Sequence, residues 1–296
     1  MSLALGNPFR LDDTEAFRIW REAKLAGYPR QASELLVEVR DPRMLSSAER
    51  AAVGERLRRA NMALYASARG GDEDKEIPRA LGRQFGLERL DPNWLADDDG
   101  ISSIAVREGD TRGEFIPYTN RAIRWHTDGY YNAPARRIRA FVLHCVRGAA
   151  QGGETLLLDH EMAYLLLRDA NPDWVRALMR ADAMTIPERA EGAEVARAAQ
   201  SAPVFSVDED DGTLHMRYTA RTVSVGWAGD ADTAAAAGFL ATWLAGDAPF
   251  ALRLRLEAGM GVICNNVLHA RTAFRDAPEQ PRLLYRARYH DRAQAP

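Results

Sequence analysis

The chain has 296 residues, of which 46% are hydrophobic and 27% charged, as in ordinary globular proteins. Its formal net charge of −3 gives no basis for nucleic acid or an anionic membrane as a partner. Two cysteines are too few for a disulfide framework, and no apolar run reaches the roughly 18 residues that span a bilayer. Since the start also lacks a signal-peptide pattern, the sequence predicts a cytoplasmic protein. The sequence does not determine the oligomeric state, and a homo-oligomer is one of the possibilities.

The first hundred residues predict mainly helices. Ser46 and Glu49 form a capping-box pattern, and Leu81 and Phe85 share the buried face of a short helix. The predicted elements are helices at about 12–26, 46–61 and 76–86, a strand at 62–66 and a turn at 97–100.

From residue 101 onward the pattern predicts short strands, interrupted by a few helices. The strands are expected at 138–146, 155–158, 252–256, 261–264 and 282–289, and the helices at 161–168, 172–180 and 232–245, the last with Asp232 as its N-cap. Helices followed by many short strands favour an α+β fold with a mainly β core, a jelly-roll sandwich with flanking helices. We expect a single domain over residues 1–296, with a mainly helical part at 1–100 packed on the jelly-roll core at about 101–290.

Two histidines and an aspartate are candidate metal ligands. His126 and Asp128 are two residues apart in a segment that predicts extended chain, so their side chains would share one face of a strand. His269 follows a second apolar run. Two histidines and one carboxylate form the facial triad of non-haem Fe(II) oxygenases, which leaves coordination positions open. Taken alone, a His-x-Asp pair is a weak signal, and its spacing favours a surface strand that carries two polar residues.

Further motifs accompany the triad in a fixed order. Gly152-Gly153-Glu154-Thr155 follows His126 by about one hairpin, and Arg282 follows His269 by 13 residues. With these motifs the chain, over roughly residues 100–290, resembles the Fe(II)/2-oxoglutarate-dependent dioxygenases of the taurine dioxygenase and gamma-butyrobetaine hydroxylase (TauD/TfdA-like) family. The resemblance implies a double-stranded β-helix, the cupin-like version of the jelly roll.

The resemblance also implies a role for each motif. His126, Asp128 and His269 would be the catalytic metal ligands for Fe(II), with 2-oxoglutarate and O2 as cosubstrates. Arg282 and the hydroxyl of Thr155 would bind the distal carboxylate of 2-oxoglutarate. Arg286 would be a second cofactor-binding arginine; Arg288, on the same strand face, could take that role instead.

The implied reaction hydroxylates an unactivated C–H bond of a small substrate and releases succinate and CO2. Candidate substrate-binding residues are Tyr118, Tyr130, Tyr131 and Arg221. The resemblance implies that the carnitine-forming members carry a further tyrosine of an aromatic box where this chain has Arg288. Its charge would repel a quaternary ammonium group, which argues against gamma-butyrobetaine as the substrate. The arginines favour an anionic or amino-acid-like substrate that carries a carboxylate, sulfonate or phosphate.

Other functions remain open at this point. The same triad also supports desaturation or cyclisation. A jelly-roll metal protein without redox chemistry, with zinc for example, would keep the triad but have no use for Thr155 and Arg282 in register. A small-acid binding protein would bind the ligand without consuming oxygen.

Overall fold

The structure is a computed structural model that describes residues 6–92, 96–107, 109, 111–191, 194–221 and 225–295. Within these ranges the helices are α1 (Thr14–Gly27), α2 (Ser47–Ala60), α3 (Glu76–Arg83), α4 (His160–Ala170), α5 (Pro172–Leu178) and α6 (Ala231–Ala245). Short 3-10 helices occupy Ala32–Leu35, Thr111–Glu114, Ile116–Tyr118 and Pro134–Arg136. No helix in the described part of the chain is long and apolar enough to cross a membrane.

The strands are short, and many of them lie in the second half of the chain. They are β1 (Leu36–Glu38), β2 (Met62–Ala66), β3 (Ser102–Ile104), β4 (Ile123–His126), β5 (Ala140–Arg147), β6 (Gln151–Gly152), β7 (Thr155–Leu158), β8 (Met184–Ile186), β9 (Arg189–Glu191), β10 (Glu194–Arg197), β11 (Gln200–Ala202), β12 (Phe205–Val207), β13 (Leu214–Met216), β14 (Gly226–Trp227), β15 (Leu252–Leu254), β16 (Met260–Cys264), β17 (Leu268–Arg271), β18 (Phe274–Arg275) and β19 (Leu283–Tyr289).

Residue contacts divide the chain into two compact units. The first comprises Met1–Tyr28, Gly129–Arg137 and Asp159–Phe250, and the second comprises Pro29–Asp128, Ile138–Leu158 and Ala251–Pro296. The expectation of a single domain over residues 1–296 stays a prediction.

The second unit contains the β core. A six-stranded sheet has the order β1-β2-β16-β5-β19-β3, and a four-stranded sheet has the order β15-β7-β17-β4. Side chains of both sheets line one cavity, so the sheets face each other as in a jelly roll. The outer face of the larger sheet packs against α2 and α3. Leu81 of α3 and Phe85 are each 1% exposed, as predicted, but α3 ends at Arg83, so Phe85 lies in the turn after the helix and not within the predicted helix at 76–86.

Local signals explain how α2 begins. Ser46 caps the helix and Glu49 completes a capping box, as the sequence predicts.

The expected N-cap of α6 was wrong, because the side chain of Asp230, not that of Asp232, accepts a hydrogen bond from the backbone N–H of Thr233. Either aspartate fits the N-cap preference, so the cap cannot be chosen from residue type alone.

The first unit combines helices with small sheets. Strand β8 pairs with β11 and β14, while β9–β10 and β12–β13 form antiparallel pairs. Phe9, Trp20, Tyr164 and Phe205 make edge-to-face ring contacts that join α1 and α4 to β12. Lys24 is buried, with Nζ 2.6 Å from carboxylate oxygens of both Asp159 and Glu161.

Candidate metal and cosubstrate site

Strand pairing brings the two candidate histidines together. β17 runs antiparallel between β4 and β7, and its register places His269 directly opposite His126. The two imidazole ring centroids are 4.1 Å apart. Cross-strand neighbours on one face have Cβ atoms about 5 Å apart, so this pairing alone gives two nitrogens the spacing to share one ion.

Backbone hydrogen bonds set the tautomer of both rings. Nδ1 of His126 lies 2.9 Å from the carbonyl oxygen of Arg124, and Nδ1 of His269 lies 3.0 Å from that of Val267. A carbonyl only accepts hydrogen bonds, so each Nδ1 carries the proton and each Nε2 keeps its lone pair for a metal.

Burial keeps both imidazoles neutral. It lowers the pKa of His126 to about 3, and the neighbouring His269 lowers it further in the same direction. Burial also lowers the pKa of His269. Neutral imidazole is the form that binds metal ions, so both rings are ready to bind at physiological pH.

Asp128 supplies the carboxylate. One oxygen or nitrogen from each of His126, Asp128 and His269 lies within 4.8 Å of the others. Oδ1 of Asp128 accepts a hydrogen bond from Arg286 at 3.0 Å, whereas Oδ2 is buried with no hydrogen-bond partner among the described residues. Nε2 of His126 lies 3.9 Å from Oδ1. A buried carboxylate with one orphaned oxygen, grouped with two imidazoles, fits an Fe(II) ion bound by the facial triad.

The charge of Asp128 is stabilised by its neighbours. Burial acts to raise its pKa, but the guanidinium groups of Arg286 and Arg288 outweigh that effect and hold the pKa well below its usual range. Asp128 is therefore an anion in the folded protein.

The backbone around Asp128 differs from the expected strand. β4 ends at His126, so alternation along a strand does not place the aspartate, and that part of the prediction was wrong. Instead Asn266 holds it: Oδ1 of Asn266 accepts the N–H of Asp128, while its Nδ2 donates to the carbonyl oxygens of Asp128 and Ile138. Asn266 has a φ of 51°, a left-handed conformation that asparagine tolerates better than most residues.

Arg282 and Thr155 lie at the same cavity as the histidines. Both line it, together with His126, His269 and Arg286. Arg282 is 5% exposed, and its guanidinium lies 4.9 Å from the ring centroid of Phe274. In the described part of the chain no carboxylate forms an ion pair with this guanidinium. Burial lowers the pKa of Arg282 to about 10, which still leaves it charged. A buried cation with no protein anion is suited to a ligand carboxylate.

The two further arginines on β19 are placed differently. Arg286 lines the cavity and pairs with Asp128, so its expected contact with the cosubstrate stays a prediction. Arg288 is not among the lining residues; it is buried and pairs with Asp91.

The predicted substrate-binding residues are spread over both units. In the second unit Tyr118 is fully buried, and its neighbour Pro117 lines the cavity. In the first unit the rings of Tyr130 and Tyr131 meet edge to face, and Arg221 is exposed. Their roles in substrate binding stay predictions.

Sequence reasoning assigned no role to two residues that contribute to the site, Asn266 and Arg271. Arg271 is buried and donates to backbone carbonyls in the segment 116–121, which leads into β4. It is two residues beyond His269 on the same strand face, a spacing that could have identified it. The partners of Asn266 are distant in the sequence, so its role left no such local signal.

Comparisons with known proteins agree with this geometry. Residues 32–288 match the model of the taurine catabolism dioxygenase TauD, TfdA family. A uridine-5'-phosphate dioxygenase from Amycolatopsis sp is 33% identical over 178 residues, which cover 58% of this chain and 61% of that relative. A uridine-5'-phosphate dioxygenase from Streptomyces sp is 30% identical over 218 residues, which cover 70% of this chain and 76% of the relative.

Solved structures share the fold at low identity. A taurine dioxygenase from Burkholderia xenovorans has a TM-score of 0.56 at 20% identity, covering 88% of this chain and 89% of its own. Asparagine oxygenase (AsnO) has a TM-score of 0.59 at 16% identity, covering 97% and 86%. PvcB from Pseudomonas aeruginosa has a TM-score of 0.58 at 18% identity, covering 88% of each chain.

The chain belongs to the TauD, TfdA family. Its recognition as an Fe(II)/2-oxoglutarate-dependent dioxygenase with a jelly-roll fold is confirmed, and with it Fe(II), 2-oxoglutarate and O2 as cofactor and cosubstrates.

Proposed function

We propose that this protein hydroxylates an unactivated C–H bond of a small anionic substrate and converts 2-oxoglutarate to succinate and CO2. One observation supports this above all. Arg282, a buried cation with no ion-pair partner in the described chain, lines the same cavity as His126 and His269. A zinc hydrolase or isomerase with the same triad would have no use for that cation.

Different residues of the cavity would bind the metal and the cosubstrate. The Nε2 atoms of His126 and His269 and the carboxylate of Asp128 would hold Fe(II), which when bound supplies the activation of O2. Arg282 would form a bidentate pair with the distal carboxylate of 2-oxoglutarate, and the hydroxyl of Thr155 would donate a hydrogen bond to it.

The rest of the cavity wall is mainly apolar. Ile104, Ile123, Phe141, Leu143 and Leu284 line it alongside the polar groups. Such a wall keeps bulk water from the reacting C–H bond and strengthens the electrostatic contacts made inside it.

A phosphate-bearing nucleoside is the first substrate candidate. Two relatives at 33% and 30% identity are both named uridine-5'-phosphate dioxygenase. The sequence independently favours an anionic substrate, with Arg221 as a candidate contact for its charge. Amino-acid substrates rank second, since the similarity to asparagine oxygenase is at the level of fold. Desaturation or cyclisation at the same site would be distinguished by the mass of the product.

The metal and cosubstrate site is tested by anaerobic titration of the purified protein with Fe(II) and 2-oxoglutarate. Bound together, the two give a visible charge-transfer band. We expect the band in the wild-type protein and in His215→Gln, a histidine control outside the triad, but not in His126→Ala. A folded wild-type protein without the band would refute the assignment of Fe(II) and 2-oxoglutarate to this site.

The substrate class is tested by succinate release in the presence of uridine 5'-phosphate, uridine, taurine and asparagine. We expect uridine 5'-phosphate to stimulate release more strongly than uridine, because only the nucleotide carries the anionic group. Equal stimulation by the two would contradict recognition of the phosphate, and stimulation by asparagine alone would move the amino-acid class to first place.

A further inference from the structure

A second carboxylate lies behind the metal ligand, joined to it by a buried arginine. Nη1 of Arg288 is 4.0 Å from Oδ1 of Asp128, and its Nη2 hydrogen-bonds to Oδ2 of Asp91. The side chains of Arg288 and Asp91 are 3% and 2% exposed. Arg286 approaches the same Oδ1 of Asp128 at 3.0 Å.

Asp91 is fixed by contacts that do not involve the metal ligands. Its backbone N–H donates to the carbonyl oxygen of Arg288 at 2.8 Å, and the preceding Leu90 forms a β-bridge with Tyr289. Nε2 of His290 lies 3.7 Å from its Oδ1. The carboxylate is therefore anchored directly to β19, beside the arginine that it pairs with.

The guanidinium groups and the metal ion compete for the carboxylate of Asp128. Asp128 has to bind a divalent cation, yet two guanidinium groups approach one of its oxygens. Burying a cation that has lost a counterion is costly, so Arg288 without Asp91 would turn to Asp128, whose Oδ1 is 4.0 Å away. Such a contact would draw the carboxylate away from the metal and neutralise it.

We propose that Asp91 is a positioning residue for the metal centre: it compensates and holds Arg288, so that the carboxylate of Asp128 stays available to the metal. The inference depends on the proposed function for its metal, but it assigns a role to a residue outside the triad and the cavity. Polar groups that orient metal ligands in this way typically change metal affinity 10- to 100-fold when they are removed.

The test is anaerobic titration with Co(II), a spectroscopic substitute for Fe(II), on the full-length protein. Asp91→Asn should bind Co(II) at least tenfold more weakly than the wild type, with an altered ligand-field spectrum. Adding Arg288→Met should restore most of the affinity, because the uncompensated charge is gone. Asp182→Asn, which removes a carboxylate from an exposed pair with Arg180, should bind as the wild type does.

A purely structural role predicts the opposite order, with the double variant at least as impaired as the single one, and that order would overturn the inference. Unchanged Co(II) affinity in a folded Asp91→Asn would overturn it as well. If Asp91→Asn does not fold, the double variant, which leaves neither charge buried alone, should fold and bind Co(II) within about threefold of the wild type; a tenfold loss there would overturn the inference. A wild-type protein that binds no metal would remove the proposed function and this inference together.

Discussion

Replacing Asn266 should weaken both the fold and the metal centre. Its side chain is 2% exposed and makes three hydrogen bonds to the backbone of Asp128 and Ile138. At a net contribution of about 1 kcal/mol each, their loss costs about 3 kcal/mol. Alanine in the left-handed conformation adds roughly 1 kcal/mol. Asn266→Ala should therefore lower the free energy of unfolding by about 4 kcal/mol.

Glycine separates the two contributions. Asn266→Gly loses the same hydrogen bonds but adopts a φ of 51° without the steric cost, so it should be about 1 kcal/mol more stable than Asn266→Ala. Urea unfolding of the metal-free proteins, followed by circular dichroism, measures both differences. Metal titration should show weaker binding in both variants, because the backbone of Asp128 is no longer held. A loss below about 1 kcal/mol in Asn266→Ala, with unchanged metal affinity, would refute this role.

Three further predictions test separate parts of the molecule. Arg282→Lys should weaken 2-oxoglutarate binding by about 100-fold, since a point charge replaces a bidentate donor, while Fe(II) affinity stays unchanged; anaerobic titration of the charge-transfer band measures both. Lys24→Met leaves the buried carboxylates of Asp159 and Glu161 without their cation and should cost about 3–5 kcal/mol in thermal unfolding, so a cost below 1 kcal/mol would contradict the buried ion triad. Burial acts to raise the pKa of Asp97, but hydrogen bonds from a lysine, a serine and an arginine outweigh it and hold the pKa below the usual 3.8. The carboxylate therefore stabilises the fold above about pH 4, and this stabilisation is lost as the pH falls further. Asp97→Asn should cost on the order of 1–2 kcal/mol at pH 7, and its difference from the wild type should shrink in acid; a difference that is independent of pH would contradict this.

Much of the second unit could be predicted because its signals are local. The Ser46–Glu49 capping box and the apolar run of β2 each depend on neighbours within a few positions. The short strands of the first unit, two to four residues each, were largely missed. β8, for example, is flanked by β11 and β14, so its place depends on partners outside its own segment.

The same distinction applies to the metal site. Residue type and spacing singled out His126, Asp128 and His269, and in the structure one possible ligand atom of each lies within 4.8 Å of the others. The strand argument for the first two was wrong, because β4 ends before Asp128 and a side chain 138 positions away holds the aspartate. Spacing thus indicated the candidate ligands, but the groups that orient them became visible only in three dimensions.

The arginines in β19 and directly before it show why alternation alone does not assign roles. Arg282, Arg286 and Arg288 were expected on one strand face, and the first two do line the cavity. What separates them is the partner of each: Asp128 pairs with Arg286 and Asp91 with Arg288, while Arg282 has no ion-pair partner in the described chain. A buried guanidinium already matched by a protein carboxylate has little to gain from a second anion. Arg282 is therefore the arginine of the three that is best suited to an incoming carboxylate, because Arg286 and Arg288 are already paired with protein carboxylates.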